Sequence, residues 1–189
     1  AGITAMQKSI VHLVNELTSL LLQFPPLVSQ FERKQPQALA TLQRWIAQAE
    51  QLLSSYGIVA SAELAGLRSK LMAPVHRDEH RGQLRRQQLR EAVDMLYPLQ
   101  QCVQQALTPY LQKIQQSTDL IRHLISVISQ SGAVHYNAAL GFDSFVQQLW
   151  QLIGQHDQLK AGAVQLRSWL SQQDIILLLA QEINPADFP

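Results

Sequence analysis

IVHLVNELTSLLLQFPP, residues 10–26, decides the fold. Ile10, Leu13, Leu17, Leu20 and Phe24 recur three or four residues apart, which places them on one face of a helix. Asn15, Glu16 and Thr18 interrupt the apolar run, so it is too polar to cross a bilayer, which needs about twenty apolar residues. Only Lys8 precedes it, and Phe24-Pro25-Pro26 follows in place of a small-residue cleavage site, which argues against an export signal. The stretch therefore reads as a core helix, spanning Thr4 to Phe24. Pro25 closes it, because it pushes Phe24 out of the α region, and neither proline supplies an N–H.

The same pattern extends along the whole chain of 189 residues. Leucine occurs 30 times and glutamine 28 times, against eight glycines and eight prolines, and both common residues enter helices at little cost. No segment alternates β-branched apolar and polar residues as a strand would. The expectation is an all-α antiparallel bundle of six or seven helices without a β-sheet, built as a single domain over residues 1–189 with a sub-boundary near 132–141.

Leu27 to Lys34 is long enough for a helical turn or two. Pro36 to Tyr56 is the second helix, with Gly57 as its left-handed stop. A third helix starts near Ser61 and ends before Pro74. A fourth starts near His76 and carries Leu89, Val93, Leu96, Val103 and Leu107, with Pro98 expected to kink or divide it. Thr108-Pro109 reads as a cap and first position of a fifth helix that runs to Ser131. Asp143 or Ser144 caps a sixth. The last covers Asp157 to Ile183, with a break near Ser171, where Ser171 and Asp174 have capping spacing.

Chemistry is sparse. His76-Arg77-Asp78-Glu79-His80 matches H-x-x-E-H, in which His76 and His80 share a helix face and can hold a metal while Glu79 acts as base. Nothing else in the chain resembles the large α/β proteases that carry the motif, and no third ligand is singled out. Two histidines on a solvated first turn is the plainer reading. His123, His156-Asp157 and Asp174 follow the order of the metal ligands in HD-type phosphohydrolases, with a short final spacing and no supporting motif.

Charge is lopsided at one place only. Formal net charge is +1, yet residues 76–90 carry five of the ten arginines and two acids, a net of +3, which leaves −2 for the rest. Arg77, Arg81 and Arg85 step by four along one helix face, and Arg86 and Arg90 continue on an adjacent one. Arginine forks of this kind suit phosphates, guanine edges or an acidic protein surface. A nucleic-acid contact is the less favoured of these, because no aromatic residue interleaves and the chain is near neutral.

The connector Gly132 to Gly141 offers His135, Tyr136 and Asn137 as further contact residues. Cys102 lies on the apolar side of its helix and is expected to be a buried, inert thiol. Trp45, Trp150 and Trp169 sit at core spacing.

With no convincing catalytic set and no cofactor implied, the chain reads as a non-enzymatic interaction protein with a protein partner: an adaptor, a chaperone-like subunit or an assembly component. Its docking residues would be Arg77, Arg81, Arg85, Arg86, Arg90, His135, Tyr136 and Asn137. A nucleic-acid regulator working through residues 77–90 and a metal-dependent hydrolase centred on His76, Glu79 and His80 are the alternatives. One cysteine and no recognisable export signal point to the cytoplasm.

Overall fold

The computed structural model describes residues 7–71 and 81–189. Among these the chain is all-α, with eight α-helices, two short 3-10 turns and no strand. The residues group into two compact units, one formed by Leu13–Pro109 and the other by the residues up to His12 together with Tyr110–Pro189.

The first unit begins in α1 (Ile10–Leu22) and continues through α2 (Phe24–Glu32), α3 (Ala38–Ser55) and α4 (Ala60–Leu71). The apolar face read from the sequence is the one buried, with Leu13 and Leu17 wholly inside and Leu20 and Phe24 nearly so. The helix starts later than expected, at Ile10, where the Ser9 hydroxyl oxygen accepts the His12 amide as an N-terminal cap. Pro25 and Pro26 do end α1, but they also sit in the first turn of α2, whose N–H groups have no intrahelical partner in any case. The segment expected to give a turn or two is thus a full helix, pinned by Phe24, Leu27 and Phe31.

The indole N–H of Trp45 donates to the Leu20 carbonyl at 2.8 Å, and the Phe24 ring meets Trp45 edge-on at 5.0 Å, so α3 is anchored on the α1–α2 corner. The α3 helix stops as expected. Gly57 takes φ +65°, and Ile58 N–H closes back on the Leu53 carbonyl. Across that turn α4 packs on α3, and an Arg68–Glu50 ion pair at 3.0 Å joins them.

The new helix start expected at Thr108-Pro109 is absent. Residues read as a fourth and a fifth helix form one, α5 (Arg81–Ser131), with Pro98 and Pro109 inside it. Both prolines lie on the exposed face. The carbonyls they leave without a helical donor, those of Asp94 and Gln105, therefore belong to exposed residues, where water can serve them. Thr108 does not cap a new helix; its hydroxyl donates back to the Gln104 carbonyl at 2.9 Å. The buried seam of α5 (Ala92, Leu96, Leu99, Val103, then Ser117, Ile121, Leu124, Ile128) keeps to steps of three and four on the opposite side of the helix.

The second unit contains the end of α5 with α6 (Phe142–Gln155), α7 (Lys160–Trp169) and α8 (Gln172–Glu182). Phe145, Leu149 and Ile153 of α6 and Ile175 and Leu179 of α8 form its core. In α7, Gly162 comes so close to α5 that a Cβ there would stand 2.9 Å from the Leu124 side chain. The break near Ser171 is real, and the Ser171 hydroxyl accepts the Asp174 N–H at 3.2 Å to start α8.

Asp174 does more than the capping spacing implied. Its carboxylate is fully buried and accepts the Ser9 hydroxyl at 2.5 Å, the Ile10 N–H at 2.7 Å and the Val11 N–H at 3.4 Å. A negative charge in the first turn of α8 therefore also satisfies donors at the start of α1 that have no intrahelical partner. The two helix N-termini, more than 160 residues apart in the chain, are tied through one side chain.

Candidate functional site

The described part of the arginine-rich segment opens α5. Arg85, Arg86 and Arg90 line one groove with the corner where α2 gives way to α3. Phe31, Lys34, Pro36, Leu39 and Gln43 form the far wall, and Leu84, Leu89 and Val93 form the near one. All of these residues belong to the first unit. The groove encloses about 1140 Å³. That is above the roughly 300–1,000 Å³ of ordinary small-molecule pockets.

The corner is shaped by an unusual backbone. After α2, Lys34 adopts φ +53° and Gln35 N–H returns to the Gln30 carbonyl, so Lys34 fills the left-handed position that glycine normally takes. A non-glycine residue there costs about 1 kcal/mol. The turn sends Lys34 outward at the groove edge, and Ala38 and Leu42 of α3 back into the core.

The charge of the site is one-sided. Lys34, Arg85, Arg86 and Arg90 are exposed, and among the described residues the single acid in the lining is Asp94. The ion pairs of Arg68, Arg122 and Lys160 involve none of these four cations. Between the cations the surface is mainly apolar, with Gln35, Gln43 and Gln88 also in the lining. Val93 is 50% exposed and Tyr97, one turn on, is 69% exposed. Sequence reasoning found the arginines and missed Lys34, Leu39 and Gln43, because nothing local in residues 34–43 announces that they face α5.

Arg77, with His76, Glu79 and His80, lies outside the described residues. Of Arg81 only its place at the start of α5 is described. Among the described residues no three His, Cys, Asp or Glu side chains gather into a metal-holding cluster. In particular, the residues compared with the HD-type set have separate tasks. His156 accepts the Gln158 N–H through Nδ1, Asp157 pairs with Lys160 at 3.1 Å, and Asp174 is the buried cap of α1.

The connector residues His135, Tyr136 and Asn137 come together, but largely on internal partners. His135 Nδ1–H donates to the Pro189 carbonyl at 2.5 Å, and Tyr136 N–H donates to the Phe188 carbonyl at 2.9 Å. The Tyr136 ring meets Phe145 edge-on, and Phe145 in turn meets Phe188. Asn137 Oδ1 accepts the Ala139 N–H and starts a short 3-10 turn. The loop nonetheless leaves His135 and Asn137 exposed, together with Leu140, 65% exposed.

Cys102 is buried against α4, with its thiol 3.8 Å from the Ala60 carbonyl. Burial first, and then the nearby Glu63 carboxylate, push its pKa up to about 12, which suppresses the thiolate at neutral pH. Trp45 and Trp150 are buried anchors with bonded N–H groups; Trp150 donates to Gln172 and has the Arg167 guanidinium 5.1 Å over its ring.

No helix among the described residues is long and apolar enough to cross a membrane. No protein-family model, curated protein or solved structure matches this chain.

Proposed function

We propose that the protein is a non-enzymatic α-helical interaction protein, working as an adaptor, chaperone-like subunit or assembly component through protein–protein contact. The observation that carries this reading is the groove between Phe31–Gln43 and Leu84–Asp94. Its apolar walls offer the surface that a partner side chain would bury, at about 25 cal/mol per Å² removed from water. Its cations are placed at the edges, where they set orientation and encounter rate. A nucleic-acid strand would use the arginines and leave the apolar walls wet, so it uses the site less well. A cytoplasmic setting goes with this reading, since a lone buried thiol needs no oxidising compartment.

The test is affinity capture from native lysate after nuclease treatment, with the wild-type chain beside Leu89→Asp/Val93→Asp. Leu89 is half-buried and Val93 exposed, so a folding check by circular dichroism accompanies the variant. The expected result is a set of protein partners that survives nuclease and is lost from the folded variant. Partners that vanish with nuclease, or that bind the variant equally, overturn it.

A further inference from the structure

We infer that the groove between the α2–α3 corner and the start of α5 receives an acidic amphipathic helix from a partner protein. This rests on the docking function proposed above and goes further, by naming the chemistry of the occupant.

Three observations converge. Lys34 on one wall and Arg85, Arg86 and Arg90 on the other give the lining, among the described residues, four cations against Asp94 alone. A segment bearing Glu or Asp on both flanks would meet opposite charge on either side. Next, aliphatic side chains stand on both walls beside Gln35, Gln43 and Gln88: Leu39 and Ala40 on α3, and Leu84, Leu89 and Val93 on α5. A row of apolar side chains at helical spacing would cover them, which is the way an amphipathic helix occupies a groove. Last, Lys34 keeps a left-handed backbone that glycine would adopt at lower cost, and so places a cation where the local geometry disfavours one.

The volume of about 1140 Å³ has room for several side chains of a partner segment. A second copy of this chain fits the charge poorly, since a self-complementary patch would have to place these cations against each other. Duplex DNA satisfies the arginines but not Leu39, Leu89 and Val93.

The experiment is fluorescence anisotropy on the full chain with three labelled helical peptides of equal length. The first has leucines at i, i+3, i+4 and i+7 with glutamates between them. The second replaces each glutamate by lysine. The third keeps the glutamates and replaces each leucine by serine. A labelled DNA duplex is the fourth probe. The acidic leucine peptide is expected to bind about tenfold or more tightly than either control, and to weaken as salt rises. Arg85→Glu/Arg86→Glu, at two exposed positions, should remove that preference without changing the helical content.

Equal binding of the glutamate and lysine peptides overturns the proposal, as does tighter binding of DNA or indifference to the arginine substitutions. The two levels of argument fail separately. Should nuclease-resistant partners still depend on Leu89 and Val93 while the acidic peptide does not bind, the occupant is wrong and the docking function stands. Loss of both removes both.

Discussion

Replacing Asp174 by alanine should loosen the start of α1, although the substitution lies in the last helix. Three donors converge on this carboxylate: the Ser9 hydroxyl at 2.5 Å, the Ile10 N–H at 2.7 Å and the Val11 N–H at 3.4 Å. The third is long and contributes little. The first two are charge-assisted bonds, each worth about 1.5–3 kcal/mol. The carboxylate is fully buried, and removing it also relieves its desolvation, so the two bonds do not simply add. A net loss of about 3 kcal/mol follows, dominated by the buried Ile10 N–H left without an acceptor. In a domain of this size that lowers Tm by about 6–12 °C.

Ser9→Ala should cost about 1 kcal/mol through loss of the cap. The double variant should fall short of the sum by about 1 kcal/mol, because the two residues share a bond. Asp174→Asn retains one acceptor oxygen and should fall between wild type and alanine. Urea and thermal unfolding measure the energies. Amide exchange of Ile10 to Leu13 locates them, and should quicken in every variant. A loss under about 0.5 kcal/mol for Asp174→Ala, or strict additivity with Ser9→Ala, would refute the claim that this carboxylate holds the helix start.

Other predictions follow from single positions. A Cβ at Gly66 in α4 meets no atom within 4 Å, so Gly66→Ala should stabilise by about 0.5–1 kcal/mol in a urea titration. Gly162→Val should do the reverse, by about 2 kcal/mol, because its Cβ would be driven into Leu124. Lys34→Gly should raise stability by about 0.5–1 kcal/mol while weakening the acidic peptide, since it relieves the left-handed backbone and removes one groove cation. Cys102 should react with a disulfide reagent about a thousandfold more slowly in the native chain than in denaturant at pH 8, given its pKa of about 12 against an ordinary 9.0; equal rates would mean the thiol is not buried.

Much of the fold was legible because helical periodicity is a local property. Ile10 to Phe24, the Gly57 stop and the Ser171 break all follow from residues within a turn or two of one another. The missed continuity through Pro109 has one cause. A proline costs a helix less where the carbonyl it abandons can turn to water, and that depends on which face it occupies. Both prolines lie opposite the seam of Ala92, Leu96, Leu99, Val103 and Leu107, a relation that was present in the spacing. The capping of α1 by Asp174 was not legible, because no local pattern links residues so far apart. The groove was half legible. Arg85, Arg86 and Arg90 stood out by charge, while Lys34, Leu39 and Gln43 acquire meaning only from the packing that brings α2 and α3 beside α5.

The central claim is that cations on both walls of an apolar groove select an acidic helix, and a charge-swap cycle tests it most directly. The wild-type chain and Arg85→Glu/Arg86→Glu are each titrated with the glutamate and the lysine versions of the same leucine-bearing peptide. The account predicts a crossed result: wild type prefers the glutamate peptide by about tenfold, and the double variant gives up that preference in favour of the lysine peptide. Affinities that shift together, with the preference between the two peptides unchanged by the substitutions, would contradict it.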